Sequence, residues 1–170
     1  DAILVGIGTA LSDDPELTCR LPGLGGRSPL RIVLDADANL PATSKLALSA
    51  RAVPVLLAAS IDADPARRST LSGCGVELIG ADLVDGRVAL PELLDDLAGR
   101  GISTLMVEGG AAVAVQFLTD GLVDRIALYF GPAEVGAGGV PSPLTRDTIP
   151  SGFRLVREAR YGEDRYAEWV

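Results

Sequence analysis

The sequence predicts an α/β protein: a mixed, mainly parallel sheet flanked by helices, with a C-terminal antiparallel hairpin. Short β-branched apolar runs alternate with helical patterns along most of the chain, as in parallel strands joined by crossover helices. The C-terminal segment instead mixes apolar and polar residues on either side of a turn. A length of 170 residues suits one compact domain with a substantial core, so residues 1–170 are expected to form a single domain.

The first strand is Ala2-Ile3-Leu4-Val5, directly after Asp1. Domains rarely begin inside their own core, so upstream sequence is expected to be missing from this chain. Further strands are predicted at Leu30 to Leu34, Val53 to Ala58, Val76 to Ile79, Thr104 to Val107 and Ile126 to Phe130. A helix is predicted from Leu90 through Leu97: Pro91 falls in the first turn, the leucines are spaced by three and four, and Gly99-Arg100-Gly101 stops it. A second helix runs from Ala111 to Leu118 and ends near Gly121. Gly131 to Pro143 is rich in Gly and Pro and reads as an irregular loop. Phe153 to Arg160 and Arg165 to Val170, around Tyr161-Gly162-Glu163-Asp164, read as a hairpin closing one edge of the sheet.

Composition narrows the chemistry. Net charge is −8 and Arg67-Arg68 is the only basic pair, which argues against a nucleic-acid groove. No apolar run approaches the ~20 residues of a membrane span, and no export leader opens the chain, so a cytoplasmic location is expected. The absence of histidine excludes Ser-His-Asp and Cys-His nucleophilic sites and every His-ligated metal centre, and no metal is expected. Cys19 and Cys74 form no CxxC pair and are read as free thiols.

Two segments could carry chemistry. In Val107-Glu108-Gly109-Gly110-Ala111-Ala112 a strand runs into two glycines and straight on into a helix. Glycines permit a tight turn and close ligand approach, and the unpaired amides of a new helix favour a phosphate. A ligand-free strand–helix turn fits the same residues. Glu108, at the strand end, suits either an acceptor facing a ligand or a solvated turn. Gly6-Ile7-Gly8-Thr9 also follows a strand, but Leu11 breaks the six-residue dinucleotide fingerprint. Ser12-Asp13-Asp14-Pro15 is by itself a natural turn, and Arg20 by itself an ordinary surface cation, though its fork suits a phosphate. The carboxylate pair Asp95-Asp96 reads as solvated.

Together these segments resemble the reductase domain of the bifunctional riboflavin-biosynthesis deaminase/reductases. The resemblance rests on Asp1 to Gly6, Thr9, and Asp13-Asp14-Pro15-x-Leu17-Thr18-x-Arg20. It continues through Pro29 to Asp35, Val107-Glu108-Gly109-Gly110, Leu118-x-x-Gly121-Leu122-Val123-Asp124 and Phe130-Gly131-Pro132, in family order across essentially the whole chain. It implies a dihydrofolate-reductase-like fold, NADPH as hydride donor, and reduction of the ribosyl group of a 5-phosphoribosylamino-pyrimidine. Carried over by position, Thr9, Asp13, Gly110 and the helix start Ala111, Ala112, Val113 and Ala114 would contact NADPH. Leu17, Arg20 and Glu108 would face the substrate, with Arg20 suited to its phosphate.

The resemblance names no proton donor. Lys45, Arg51 and Arg67 are candidates for the cofactor's 2′-phosphate. The chain departs from the family at Ala36, where a Ser often supplies a cofactor hydrogen bond, and the resemblance implies that the family's first strand and helix, upstream of Asp1, are missing from it. A homodimer is expected for the family, although the sequence does not specify one. Two other readings use the same residues: a reductase of another pterin or imine, and a non-catalytic NADP-binding module.

Overall fold

In the computed structural model, residues 1–133, 136 and 138–170 are described. They fall into two compact units, Asp1–Ala114 and Val115–Val170.

The first unit is built on five parallel strands: β1 (Ala2–Gly6), β2 (Leu30–Leu34), β3 (Val55–Ala59), β4 (Glu77–Gly80) and β7 (Leu105–Val107), in the order β4-β3-β2-β1-β7. β3 is buried along its whole length, as its unbroken apolar run requires of a strand covered on both faces. Its helices are α1 (Ile7–Asp13), α2 (Lys45–Leu48), α3 (Pro65–Cys74) and α4 (Leu90–Gly99), and α5 (Ala111–Thr119) begins in it. A two-stranded ladder, β5 (Leu83–Val84) with β6 (Arg87–Val88), precedes α4.

Strand order and crossover handedness fix the layers. From β1 to β4 each step moves one strand in the same direction, so right-handed crossovers put α1, α2 and α3 on one face. The core there joins Val5, Val33, Val55, Leu57 and Ala59 of alternate strand positions to Ala10, Leu46, Ala47 and Leu71 of the helices. From β4 the chain crosses to β7 on the far side of β1. That reversal puts α4, with its buried stripe Leu90, Leu93 and Leu97, on the other face. The reversal makes the β1/β7 boundary a topological switch point.

The second unit holds β8 (Ile126–Phe130), β9 (Leu155–Tyr161) and β10 (Asp164–Trp169) as an antiparallel sheet ordered β8-β10-β9. Ile126, Ala167 and Trp169 form its core, with Leu118, Val123, Leu128, Phe130, Leu144, Ile149 and Phe153 packed around them. Tyr129, Tyr161 and Tyr166 cluster on the opposite face, with the Tyr129 and Tyr166 ring centroids 4.8 Å apart. Glu168 is buried, paired with Arg125 and accepting from the Tyr166 hydroxyl at 2.9 Å. Every aromatic side chain of the protein belongs to this unit or to α5 within it.

The α/β class, the parallel sheet and the C-terminal hairpin agree with the sequence. The hairpin pairs with β8, however, and not with an edge of the parallel sheet: β10 matches β8 from Trp169↔Ile126 to Arg165↔Phe130. Alternation in β10 explains this, since Ala167 and Trp169 fall on one face and need the apolar side of β8. The loop expected from Gly131 to Pro143 carries no helix or strand where it is described, and positions 134, 135 and 137 of it lie outside the described residues. Cys19 and Cys74 are free thiols, and among the described residues no helix is long and apolar enough to cross a membrane.

Candidate active site

The two glycine-bearing segments meet. Because β1 and β7 are parallel neighbours with Leu4 opposite Val107, their carboxyl ends emerge side by side. The Glu108 amide continues the ladder by donating to Leu4 O at 3.0 Å. A Cβ placed on Gly109 would lie 2.6 Å from the Gly6 nitrogen and 2.6 Å from Val5 Cα, so only glycine lets these backbones approach. Gly6 is equally close to α5, where a Cβ would lie 2.7 Å from a Val113 methyl. Gly110 turns the chain into α5 with φ +34°, and its missing Cβ would stand 3.0 Å from Thr9 Oγ1. At Gly8 no described atom beyond its chain neighbours and its own helix backbone lies within 4 Å of such a Cβ, and the residue is exposed. The result is a shallow floor of bare backbone, open above and bordered by the Thr9 hydroxyl.

The start of α5 is the electropositive element of this floor. Its hydrogen-bond ladder begins with Ala114 N donating to Gly110 O, which leaves the amides of the first turn without an intrahelical partner. Ala111, Val113 and Ala114 are half-buried and Ala112 is exposed. Glu108 is exposed, and among the described residues its carboxylate has no hydrogen-bond partner.

Thr9 and Asp13 lie one helical turn apart on α1, Thr9 half-buried and Asp13 exposed as the last residue of the helix. Asp14 caps α1 in the left-handed region, and its Oδ1 accepts from the Lys45 amide at 2.8 Å, tying the chain after α1 to the start of α2. Leu17, also left-handed with φ 50°, packs half-buried on the core beneath α1 to α3. Arg20 is exposed and has no ion-pair partner among the described residues. Thus Thr9, Glu108, Gly110 and the α5 start gather at the switch point, while Asp13, Leu17 and Arg20 follow on the connection to β2.

Of the cations considered for a 2′-phosphate, Arg51 donates to Gly73 O at 2.7 Å and Arg67 to Asn39 Oδ1. Lys45 is exposed at the start of α2. Ala36 presents its carbonyl to the Ser60 amide at 2.9 Å.

The buried polar residues Asp35 and Arg31 were not singled out by the sequence reading. Asp35, just past β2, accepts from the Leu40 amide at 2.8 Å through Oδ2, while Oδ1 is buried without a partner. Burial pushes its pKa up, against the lowering effect of backbone amides at Asn39, Leu40 and Asp37. Arg31 lies inside β2 and reaches backbone oxygens far away in sequence. A charge within the strand pattern Leu30-Arg31-Ile32-Val33-Leu34 was the available signal.

The chain is thus an open-sheet α/β protein with glycines at the switch point, the place where such sheets usually bind ligands. Known proteins narrow this. The RibD C-terminal domain family matches residues 1–165, and the chain belongs to that family. It is 34% identical over 156 residues to riboflavin biosynthesis protein RibD of Bacillus amyloliquefaciens, covering 92% of this chain and 40% of that protein. It is 32% identical over 171 residues to the 2,5-diamino-6-ribosylamino-4(3H)-pyrimidinone 5′-phosphate reductase of Archaeoglobus fulgidus, covering 96% of this chain and 76% of the relative. Among solved structures, a Thermotoga maritima diaminohydroxyphosphoribosylaminopyrimidine deaminase/5-amino-6-(5-phosphoribosylamino)uracil reductase superposes with a TM-score of 0.76 at 27% identity. That match covers 99% of this chain and 44% of that one. The chain therefore spans less than half the length of the Bacillus and Thermotoga proteins and about three-quarters of the Archaeoglobus reductase.

Proposed function

We propose that this chain is an NADPH-dependent reductase of riboflavin biosynthesis, which converts the ribosyl group of 5-amino-6-(5-phosphoribosylamino)uracil to the ribityl group. The observation that carries the proposal is that the β1–α1 junction at Gly6 to Thr9 meets the Gly109–Gly110 turn at the β1/β7 switch point. One dinucleotide can touch both.

The residues fit the cofactor. The floor at Gly8 and Gly110 carries no side chain, so a pyrophosphate can come close to backbone amides there. Ala111 to Ala114 would hold it through the α5 start, with Thr9 and Asp13 contributing polar atoms from α1. Bound there, reduced nicotinamide supplies a hydride. Such a reaction needs two ligands held face to face more than it needs a strong acid or base, so a site without histidine is suited to it. Glu108 would accept hydrogen bonds from the substrate beside the cofactor. Leu17 would pack on the substrate and Arg20 would bind its phosphate. A homodimer in the cytoplasm is part of the same reading.

The Archaeoglobus relative's name points to a pyrimidine that retains its 2-amino group, so that compound is the second substrate to try. The full-length protein is incubated with NADPH and each pyrimidine, following nicotinamide absorbance and a gain of two hydrogens in the product by mass spectrometry. Dihydrofolate serves as the comparison substrate. Oxidation of NADPH with a pyrimidine and not with dihydrofolate is expected. Turnover of dihydrofolate alone would make this a pterin reductase, and NADPH binding without any turnover would reduce it to a binding module.

A further inference from the structure

Arg31 heads the fully buried large side chains of the protein. It lies on the face of β2 that carries Val33, beneath α1 to α3. Its Nη1 donates to Glu16 O at 3.0 Å and to Ser49 Oγ at 2.8 Å. Nη2 donates to Ser49 O at 3.3 Å and to Val53 O. Ser49 Oγ in turn donates to Lys45 O at 2.5 Å. Nε is buried without a partner, and the residue makes no ion pair among the described residues.

A buried guanidinium is a costly way to fill space. Apolar side chains of similar volume often do better in such places. Burial pushes the Arg31 pKa down, with the Glu16 carboxylate acting in the opposite sense. What an apolar residue could not do is join separate chain segments through one rigid fork. Here the fork joins the segment after α1, through Glu16, to the turn that ends α2, through Ser49 and Val53. The Asp14–Lys45 hydrogen bond makes a second link between the same two elements. Next to these anchors Leu17 is held in a left-handed conformation that a leucine rarely adopts. Arg20 follows three residues later.

We infer that Arg31 is a positioning residue for substrate: it pegs Glu16 O to the end of α2 and so fixes where Leu17 and Arg20 stand. The inference rests on the proposed role of those two residues toward the phosphoribosylamino-pyrimidine. It separates the two ligands, because the Gly109–Gly110 floor receives nothing from this peg.

The test compares Arg31→Lys and Arg31→Met with the unmodified full-length protein. Substrate KM, kcat, NADPH affinity and amide hydrogen exchange across residues 14–20 are measured. The Met variant should raise KM about tenfold while kcat and NADPH affinity change by less than about twofold, with Lys in between. Exchange should quicken in 14–20 and not in β1 or β3. Losses shared equally by KM and NADPH affinity, exchange that quickens throughout the sheet, or no change at all would overturn the inference. If neither variant folds, Ser49→Ala decides, since it removes a single acceptor: a raised KM with NADPH affinity intact supports the peg, and an unchanged KM overturns it. Should the unmodified protein fail to reduce the pyrimidine, the functional proposal falls, whereas exchange across 14–20 still reports whether Arg31 pegs the segment.

Discussion

Thr9 and Gly110 are in contact range across the carboxyl ends of β1 and β7: the hydroxyl oxygen of one stands 3.0 Å from where the other would carry a Cβ. Gly110→Val should therefore crowd Thr9, and with φ +34° at this position it should also strain the entry to α5. We expect NADPH affinity to fall by at least about tenfold with the circular dichroism spectrum preserved, roughly 1.4 kcal/mol of binding energy. An unchanged cofactor titration would remove the phosphate from this turn.

Gly109 and Gly8 should respond in opposite senses. Gly109→Ala forces a methyl group into the backbone of Val5 and Gly6, and should cost roughly 1–3 kcal/mol in urea unfolding. Gly8→Ala adds a methyl in open space within α1 and should stabilise by up to about 1 kcal/mol. Equal effects would mean that the close approach of the two turns has been misjudged.

Glu108→Gln tests the assignment of ligands to sides. The carboxylate is exposed and has no partner among the described residues, so the folded state should tolerate the amide. Turnover with the pyrimidine should drop by about tenfold or more while NADPH affinity moves by less than about twofold. Parallel losses in both would show that Glu108 does not discriminate between the two ligands.

Asp35 gives a pH signature. Its folded pKa is raised by burial, so the folded state holds the proton more tightly than the unfolded one. The folded state is then favoured at low pH, and stability is lost as pH climbs from the ordinary carboxylate value of ~4 through the raised folded value. Asp35→Asn cannot ionise and should lack this decline. Urea midpoints for the two proteins should diverge in the variant's favour with rising pH and then run parallel. A difference independent of pH would mean that Asp35 titrates in the fold as it does in the unfolded chain.

How much of this was legible depended on how far away each residue's partners lie. The runs Leu30 to Leu34 and Ile126 to Phe130 gave strands with those same bounds, because β-branched and aromatic residues cluster in short runs there. Leu90 to Leu97 and Ala111 to Leu118 likewise gave helices by period. The sequence reading missed α1, since Gly6 and Gly8 are poor helix formers and Ser12-Asp13-Asp14-Pro15 read as a turn; tertiary packing of Ile7 and Ala10 overrides that weak local propensity. It also missed α3, although Asp64-Pro65 at the start and Gly75 at the end are ordinary boundary signals. The β5–β6 ladder turns on Asp85-Gly86, a hairpin dipeptide in plain view.

At the site, sequence order identified the two turns, but only the strand order β2-β1-β7 brings them together. Arg31 was illegible for a different reason. Its acceptors, Glu16, Ser49 and Val53, come from segments that local pattern cannot connect.

With every Phe, Tyr and Trp confined to positions 117–169, the parallel sheet and its glycine floor are dark in the near ultraviolet. Trp169 emission reports the antiparallel unit, so a chemical melt followed by that light can miss unfolding of the half that bears the glycine turns. The same silence leaves a clean background in that half, against which the native blue emission of a reduced nicotinamide can be read without any engineered label.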